Sequence, residues 1–378
     1  MRMLITQANL NFMGGAEKVV LKIAEHYKAK IYTAEYDKRS TFEGFENLDV
    51  EVIGGRGYSV IPYGRVMQGL KYGSAFYNMR IREDYDVINA HVAPSHWIRR
   101  NNRRVLWYCH TPLREIYDLY NYRMRFRKFY KRPLYAVGAS IVRRVDRNVV
   151  NDIEMIVANS TNTQSRIVKY FGREDSEVLN GGVDYKDYNN GEYGNYFLYP
   201  SRISPNKRQE FAIRAFERFR KTREGRGYKL FIVGQVSKDG MYNDYYSGIV
   251  ELARRVGDVQ IVTDSDYNRL RKLYSNCTAV LYPPINEDYG LVPLEGMASG
   301  KPVIAVNEGG PRETVVHERT GWLVNDEREM AKFMGVLAKD KGMAERMGRS
   351  GRARVIDRYS WKRFFSRFDR YIDRVRRG

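Results

Sequence analysis

The segment Asn286–Gly300 reads NEDYGLVPLEGMASG and follows the apolar run TAVLYPP at 278–284. The run predicts a buried strand, and Gly290 predicts a turn that opens directly into a helix. Such a helix start directs backbone N–H groups and a positive dipole end at an anion. Two carboxylates, Glu287 and Glu295, flank the turn with seven residues between them. Because carboxylates accept hydrogen bonds from hydroxyl groups while amides hold phosphate, the segment predicts a sugar-nucleotide site.

Short apolar runs alternate with helical patterns along the whole chain. Continuous apolar runs of this kind are typical of buried parallel strands, and the helices between them imply right-handed crossovers. The strand candidates form two series: MRMLIT, AKIYTA, VEVIG, YDVINAH, RVLWYCHT, MIVANS and SEVLN, then YFLYPS, YKLFIVG, VQIVT, TAVLYPP, PVIAV and GWLV. The fold class is therefore predicted as α/β, with two Rossmann-like doubly wound parallel sheets and a ligand cleft between them.

The domain boundaries follow from these two series and the polar stretch between them. We expect a first Rossmann-like domain over 1–190 on the acceptor side and a second over 196–358 that binds the nucleotide sugar. The remaining residues, 359–378, predict an amphipathic helix. Its apolar stripe is expected to pack back on the first domain, because seven large side chains would otherwise be exposed.

The composition indicates a globular protein without a disulfide framework. The chain has 378 residues, of which 43% are hydrophobic, enough for two packed domains. Its two cysteines, Cys109 and Cys277, lie in apolar runs and are expected to be buried thiols. The first ten residues turn polar too early for a signal peptide, and no apolar run is long enough to span a membrane. We expect a cytoplasmic protein that can associate peripherally with the inner membrane face.

Positive charge is concentrated in one part of the first domain. The net charge is +20, which favours anionic partners. No acidic residue occurs from Leu119 to Val145, although eight basic residues do: Arg123, Arg125, Arg127, Lys128, Lys131, Arg132, Arg143 and Arg144. Over 122–134, Tyr122, Phe126, Phe129 and Tyr130 would share one face of a helix. This pattern predicts contact with an anionic membrane surface; a solvated basic helix packed on the core is the alternative.

Two further loops carry candidate ligand residues. Gly14 and Gly15 follow the first strand and open a helix, which allows close backbone approach or is simply a tight turn. Arg202 and Lys207 follow the first strand of the second series. Two cations at a strand end can bracket a diphosphate, although surface cations are common.

Together these segments resemble glycosyltransferase family 4, retaining enzymes of the GT-B fold. The resemblance covers nearly the whole chain, from GGAE at Gly14 to the helix at Trp361, and is most specific in GLVPLEGMASGKPVIA and GGPRETV. It implies that Glu295 binds the nucleotide ribose and that Glu287 faces the donor-sugar hydroxyls. It also implies that Arg202, Lys207 and the backbone amides of Gly290 and Leu291 bind the diphosphate. Gly14 and Gly15 are implied to lie opposite the donor.

One segment, WYCHTPLREIYDLY at 107–120, is similar to a branch that includes polysaccharide mannosyltransferases. The resemblance places His110 beside the donor sugar and makes GDP-mannose the first choice of donor. No other cofactor is expected. His91 and His96 lack that support and are interpreted as structural or acceptor-side.

The predicted activity is a hexosyl transfer from a nucleoside-diphosphate sugar to a hydroxyl of a lipid-linked, polysaccharide or glycoconjugate acceptor. No histidine cluster with metal-ligand spacing stands out, so no metal is expected. No acid stands out as a nucleophile, which favours front-face transfer with retention. Two alternatives remain: a glycosyltransferase that acts on nucleic acid, for which no nucleic-acid module is present, and a non-catalytic sugar-nucleotide-binding protein.

Overall fold

The computed structural model describes residues 1–53, 65–125, 127–236 and 243–377. By internal contacts the chain divides into two compact units, Met1–Gly181 with Phe365–Gly378, and Gly182–Phe364. The first boundary lies before residue 190 because the Val183 N–H donates to the Tyr359 carbonyl at 2.8 Å, which ties this segment to the second unit.

The described part of the first unit contains one parallel sheet of seven strands in the order β3-β2-β1-β4-β5-β6-β7. Its strands are β1 Met3–Gln7, β2 Lys30–Thr33, β3 Val50–Val52, β4 Val87–Ala90, β5 Val105–Cys109, β6 Met155–Ala158 and β7 Glu177–Val178. Its helices are α1 Gly15–Tyr27, α2 Arg65–Asn78, α3 Tyr120–Arg125, α4 Arg132–Asp152 and α5 Thr161–Phe171.

The described part of the second unit contains a parallel sheet of six strands in the order β10-β9-β8-β11-β12-β13. Its strands are β8 Tyr196–Pro200, β9 Lys229–Val233, β10 Val259–Val262, β11 Ala279–Tyr282, β12 Val303–Val306 and β13 Gly321–Val324. Its helices are α6 Gln209–Arg220, α7 Asn243–Val256, α8 Tyr267–Asn276, α9 Leu291–Ala298, α10 Pro311–Thr314, α11 Glu327–Lys339 and α12 Lys341–Arg358. The last helix, α13 Trp361–Arg377, begins in this unit, and its residues from Phe365 onward belong to the first unit.

The predicted α/β class with two doubly wound parallel sheets is confirmed. Each of the thirteen strand candidates contains a strand. The central strands are buried and require continuous apolar sequence, whereas the edge strands β3, β7 and β10 are only partly buried. In each sheet the strand order reverses once, between β1 and β4 and between β8 and β11. Ligands in such sheets bind at the carboxyl ends of the strands at this switch point. The fold therefore gives each unit one favoured edge for a site.

The single helix predicted over 122–134 is wrong. Helix α3 ends at Arg125, a 3-10 turn covers Phe129–Lys131, and α4 begins at Arg132. Pro133 explains the break, because a proline ring clashes with the carbonyl four residues earlier and fits only in the first turn of a helix. The predicted position of Phe126 lies outside the described residues.

Other packing predictions concern the thiols and the last helix. Cys109 and Cys277 are buried thiols that form no disulfide, as predicted. Along α13 the side chains of Phe368, Ile372 and Val375 are buried, and the Phe365 ring stacks on His26 with centroids 3.8 Å apart. None of the helices within the described ranges is both long and apolar enough to cross a bilayer.

Two helical glycines offer a matched test of packing in the second unit. A Cβ on Gly335 in α11 would meet no atom within 4 Å, whereas one on Gly296 in α9 would lie 2.8 Å from Val280 Cγ2. We expect Gly335→Ala to stabilise the protein by about 0.5–1 kcal/mol, the helix-propensity gain over glycine. Gly296→Ala should destabilise it through overpacking against β11, by about 1–3 kcal/mol. Thermal or urea unfolding of both variants checks the pair, and equal shifts would contradict this packing of α9 on the sheet.

Candidate functional site

Three loops follow neighbouring strands at the switch point of the second unit. They are Ser201–Arg208 after β8, Pro283–Gly290 after β11 and Asn307–Gly310 after β12, and we call them the three site loops. The carboxyl ends of parallel strands lie at one edge of a sheet, so these loops are neighbours in space. Five of the predicted site residues lie on them or directly after them: Arg202, Lys207, Glu287, Gly290 and Leu291.

Lys207 and Glu287 form an ion pair that joins the first two loops. Lys207 Nζ donates to Glu287 Oε2 at 2.7 Å, and the two side chains are only 13% and 15% exposed. Lys207 lies on a 3-10 turn, Pro205–Lys207, that precedes α6. The Tyr199 hydroxyl donates to the Lys207 carbonyl and fixes that turn. An ammonium group has three N–H donors, so the pair positions Lys207 without exhausting its capacity for an anion.

Arg208, which the sequence analysis missed, connects all three loops. Its backbone adopts the left-handed conformation with φ 51°. Its Nε donates to the Pro283 carbonyl at 2.6 Å, and Nη2 donates to the Pro284 carbonyl at 3.1 Å and to Glu308 Oε1 at 2.9 Å. A planar guanidinium is suited to such convergent acceptors. The only signal in the sequence was its place beside Lys207.

Glycines 309 and 310 allow the third loop to pack directly on the second. A Cβ on Gly309 would lie 2.3 Å from the Glu287 carbonyl oxygen, and one on Gly310 would lie 2.3 Å from that of Tyr289. The Gly310 N–H donates to the Glu287 carbonyl at 2.8 Å. This contact requires residues without side chains, and it sets the backbone position of Glu287.

Helix α9 begins at the predicted place. Gly290, with φ 83°, is its N-cap residue, Leu291 is its first residue and Pro293 lies in its first turn. The first N–H groups of a helix have no intrahelical acceptor, and they point out of its amino end. The start of α9 therefore presents backbone donors and the positive dipole end beside the loop that carries Glu287.

Glu295 lies on α9 and is held by buried tyrosines. The Tyr274 hydroxyl, on α8, donates to Glu295 Oε2 at 2.7 Å. Burial and then the Glu295 charge raise the pKa of Tyr274 well above its usual range, and the same two causes raise the pKa of Tyr188. These phenols stay protonated as donors, and they orient the carboxylate. Neither tyrosine was predicted, since each is remote from Glu295 in sequence.

Arg202 is exposed at the carboxyl end of β8. Gln209 Nε2 donates to its carbonyl at 2.9 Å, which fixes the backbone. The structure thus joins Lys207 to Glu287 directly, holds Glu295 one helical turn into α9, and leaves the Arg202 guanidinium at the solvent boundary of the same edge.

Lys301 is a structural lysine. Its side chain is fully buried, and Nζ donates to the carbonyls of Gly191 and Glu192 at 3.0 Å each. Burial lowers its pKa to about 8. It anchors the segment before β8 to the second sheet.

The glycine pair of the first unit opens α1 as predicted. Gly14 is the N-cap residue and Gly15 begins the helix. A Cβ on Gly14 would lie 2.4 Å from Glu17 Oε2, so the glycine makes room for a carboxylate that is only 1% exposed. Gln7 Nε2 donates to Glu17 Oε1 at 3.1 Å, which ties the end of β1 to the helix start.

His110 follows β5 at the same edge of the first sheet and contacts His91. His110 Nε2 lies 3.0 Å from His91 Nδ1, and His91 Nε2 lies 2.8 Å from Asn89 Oδ1. Asn89 Nδ2 donates to the Leu106 carbonyl at 3.2 Å, which sets the amide so that Oδ1 faces His91. His91 Nε2 must then carry the proton and donate it to Asn89.

Burial, and then the neighbouring His110, lower the pKa of His91 well below its usual range, so its ring is neutral and Nδ1 accepts. His110 Nε2 is accordingly the donor in the His110–His91 contact. His91, interpreted from sequence as structural or acceptor-side, therefore sets the tautomer of the histidine predicted at the site.

His96 is a core residue. Its Nε2 bonds to Asp146 Oδ1 at 2.8 Å, its ring stacks on Trp107 with centroids 4.1 Å apart, and the side chain is fully buried. The structural interpretation of this histidine agrees with its contacts.

We expect the Tyr274–Glu295 hydrogen bond to be measurable as a coupling energy. Hydrogen bonds to charged groups contribute about 1.5–3 kcal/mol. A double-mutant cycle with Tyr274→Phe and Glu295→Gln, followed by urea unfolding, should give a coupling in that range. Tyr196→Phe is the matched control, because the Tyr196 hydroxyl donates to the Leu273 carbonyl at 2.8 Å and not to Glu295. A Tyr274–Glu295 coupling no larger than that of Tyr196 with Glu295 would contradict the orienting function.

We expect His91 to make folding stability depend on pH. Its pKa is lowered in the folded state, so below about pH 6.5 the unfolded chain binds a proton that the folded chain does not. The free energy of unfolding should fall as pH decreases through that value, by up to about 1.4 kcal/mol per pH unit. His91→Gln retains a donor and an acceptor without titrating, and should flatten the dependence. His317→Gln, at an exposed histidine, should leave it unchanged; an unaltered slope in His91→Gln would show that His91 titrates normally.

Comparisons with known proteins cover both units. The Glycosyltransferase Family 4 model matches residues 13–187, and the model for glycosyl transferases group 1 matches residues 184–354. The chain is 28% identical to alpha-1,3/1,6-mannosyltransferase ALG2 of Mus musculus, over 96% of this chain and 94% of that protein. It is 26% identical to ALG2 of Homo sapiens, over 96% and 94% of the two chains.

Solved structures share the fold at low sequence identity. HepE of Anabaena, solved in complex with UDP and glucose, has a TM-score of 0.76 at 18% identity and covers 99% of both chains. Sucrose-phosphate synthase from Thermosynechococcus elongatus has a TM-score of 0.78 at 19% identity and covers 98% of both. The two matched ranges overlap at residues 184–187; the first contains β2 to β7 of the first sheet, and the second contains all six strands of the second sheet. The chain belongs to glycosyltransferase family 4 and has the GT-B fold.

Proposed function

We propose that this enzyme transfers a mannosyl group from a nucleoside-diphosphate sugar to a hydroxyl of a lipid-linked glycan, with retention of anomeric configuration. One observation carries the donor chemistry: the Lys207–Glu287 pair and the amino end of α9 meet at the switch point of the second sheet. This arrangement offers a cation and backbone donors to a diphosphate, and carboxylates to hydroxyl groups. The named activity of the ALG2 relatives supports mannose as the sugar.

The leaving group is the part of the reaction that the protein can stabilise. The bond between the anomeric carbon and the diphosphate oxygen breaks, and negative charge develops on that oxygen. Lys207, Arg202 and the N–H groups at the start of α9 lie where they can stabilise this charge electrostatically. With those charges supplied by the chain, the proposal needs no divalent cation. No other cofactor enters it.

The transfer itself is proposed to occur on the front face of the sugar. The acceptor hydroxyl attacks the anomeric carbon from the side that the diphosphate leaves, and its proton passes to a phosphate oxygen of the leaving group. The bonds and charges balance without an enzyme nucleophile. Glu287 is already paired with Lys207, so its place in this scheme is to bind donor-sugar hydroxyls and to aim the ammonium group.

The remaining donor contacts follow from how the side chains are held. Tyr274 fixes the Glu295 carboxylate, which is proposed to accept hydrogen bonds from the ribose. In the first unit, His110 and the Gly14–Gly15 turn are proposed to bind sugar hydroxyl groups. GDP-mannose is our first choice of donor.

The first unit is proposed to receive the acceptor. Its basic segment from Arg123 to Arg144 favours a substrate held at an anionic membrane, where the enzyme would act as a peripheral protein on the cytoplasmic face. A polysaccharide or a soluble glycoconjugate is the alternative acceptor in this proposal.

We expect Lys207→Met to reduce kcat/KM for mannosyl transfer by about 10²–10³-fold, the typical effect of losing one group that stabilises a developing oxyanion. The assay uses GDP-mannose and a short synthetic lipid-linked glycan in the presence of EDTA. Lys221→Met is the control, since Lys221 is a mostly exposed lysine on the same unit.

A Lys207→Met enzyme with the wild-type kcat/KM would overturn the proposed leaving-group stabilisation. Thermal-shift measurements with GDP-, UDP- and ADP-sugars identify the donor independently, because a ligand of the native state raises its melting temperature. Donor hydrolysis by the wild-type protein without acceptor would exclude a non-catalytic binding protein.

A further inference from the structure

Helix α4 carries an exposed row of apolar side chains. Leu134 is 80% exposed, Val137 60% and Ile141 58%, and the preceding turn adds Phe129 at 80% and Tyr130 at 58%. Residues 134, 137 and 141 are spaced by three and four positions, so they lie along one face of the helix. We call these five side chains the outer stripe. Large apolar groups gathered in this way mark an interaction surface rather than scattered surface residues.

The outer stripe is not the face by which α4 packs on its own unit. The buried face consists of Tyr135, Ala139, Val142, Asp146, Val149 and Val150. At 100° per residue this face lies roughly opposite the outer stripe. The helix is thus apolar on two sides, and only one side is used to hold the first unit together.

Positive charge surrounds the outer stripe. No acidic residue occurs between Leu119 and Val145, whereas Lys128 and Lys131 lie at the turn that leads into α4 and Arg132 is the first residue of that helix. These three side chains are exposed. An apolar surface with a cationic border complements a surface that is apolar inside and anionic at its boundary.

Arginines continue the same helix beyond the stripe. Ser140, Arg143, Arg144, Arg147 and Asn148 line a groove of about 390 Å³. Arg143 Nε donates to the Ile116 carbonyl at 2.7 Å, and its guanidinium lies 4.6 Å from the Tyr120 ring centroid, which fixes it in place. Arg144 is exposed one turn after Ile141, next to the end of the stripe. Guanidinium groups at this position are suited to lipid phosphates.

We propose that the outer stripe docks on a bilayer that contains anionic phospholipid, with Leu134, Val137 and Ile141 inserted at the headgroup boundary and Arg144 at the phosphates. A second copy of the chain fits the stripe less well, since it would bring a second basic border against the first. The inference extends the proposed function, because a lipid-linked acceptor is presented at a bilayer, but it does not depend on the donor chemistry.

Vesicle flotation of the full chain tests the proposal. The vesicles are phosphatidylcholine alone or phosphatidylcholine with phosphatidylglycerol. We expect the wild-type protein to float with the anionic vesicles only, and to be released by salt. The triple variant Leu134→Gln, Val137→Gln and Ile141→Gln should bind at least about tenfold more weakly, and Arg144→Gln should reduce binding at low salt. Glutamine is a good helix former, so the exposed substitutions should leave the melting temperature unchanged.

The control is Ile356→Gln, at a 42% exposed isoleucine on α12 of the second unit, which should float like the wild-type protein. Equal flotation of the triple variant and the wild-type protein would overturn the docking surface, as would failure of the wild-type protein to bind anionic vesicles. A wild-type dimer in light scattering that the triple variant loses would assign the stripe to a second copy instead.

The two proposals fail separately. If docking is wrong and the donor chemistry right, the protein stays unbound while a sugar nucleotide still raises its melting temperature. If the chemistry is wrong and docking right, flotation persists without transfer.

Discussion

The position of the site loops in the second unit depends on the hydrogen bonds of the Arg208 guanidinium. From one left-handed residue it reaches the carbonyls of Pro283 and Pro284 and the carboxylate of Glu308, and so fixes three loops that are separated by up to 100 positions in sequence. Glu308 Oε2 also accepts from the Asn286 N–H at 3.0 Å, next to Glu287. The Lys207–Glu287 pair therefore lies on a backbone that is already held in place, and neither side chain has to order its own loop when an anion binds.

Much of the fold could be predicted because parallel sheets impose a strong pattern on sequence. A central strand buried on both faces needs an uninterrupted apolar run, and the runs around Leu106 and Leu281 show this without any knowledge of tertiary contacts. The start of α9 at Leu291 could also be predicted, since a glycine with a proline three positions later is a local signal. The break before α4 was not predicted, because the basic and aromatic residues around Pro133 recur at helical spacing and indicated one continuous helix despite the proline.

The site residues also divide into those that the sequence identifies and those that only the folded chain reveals. Glu287, Glu295 and Lys207 lie in recognisable segments, whereas their partners are defined only by the folded chain. Tyr274 is one of 30 tyrosines, and nothing local distinguishes the one that orients Glu295. His91 has a comparable position in the first unit, where its contact with His110 arises from the adjacency of β4 and β5. Supporting side chains of this kind are recruited across strands, so a pattern within one segment cannot reveal them.

The bare backbones of Gly309 and Gly310 touch the carbonyls of Glu287 and Tyr289, which makes the second and third site loops a single interlocked unit. If one of these loops were transplanted from a related enzyme, its backbone would have to pack against a neighbouring loop that fits the original backbone. A workable chimera has to carry Ser201–Arg208, Pro283–Gly290 and Asn307–Gly310 together. If these loops hold the donor as proposed, changes of sugar specificity should be inherited as a block.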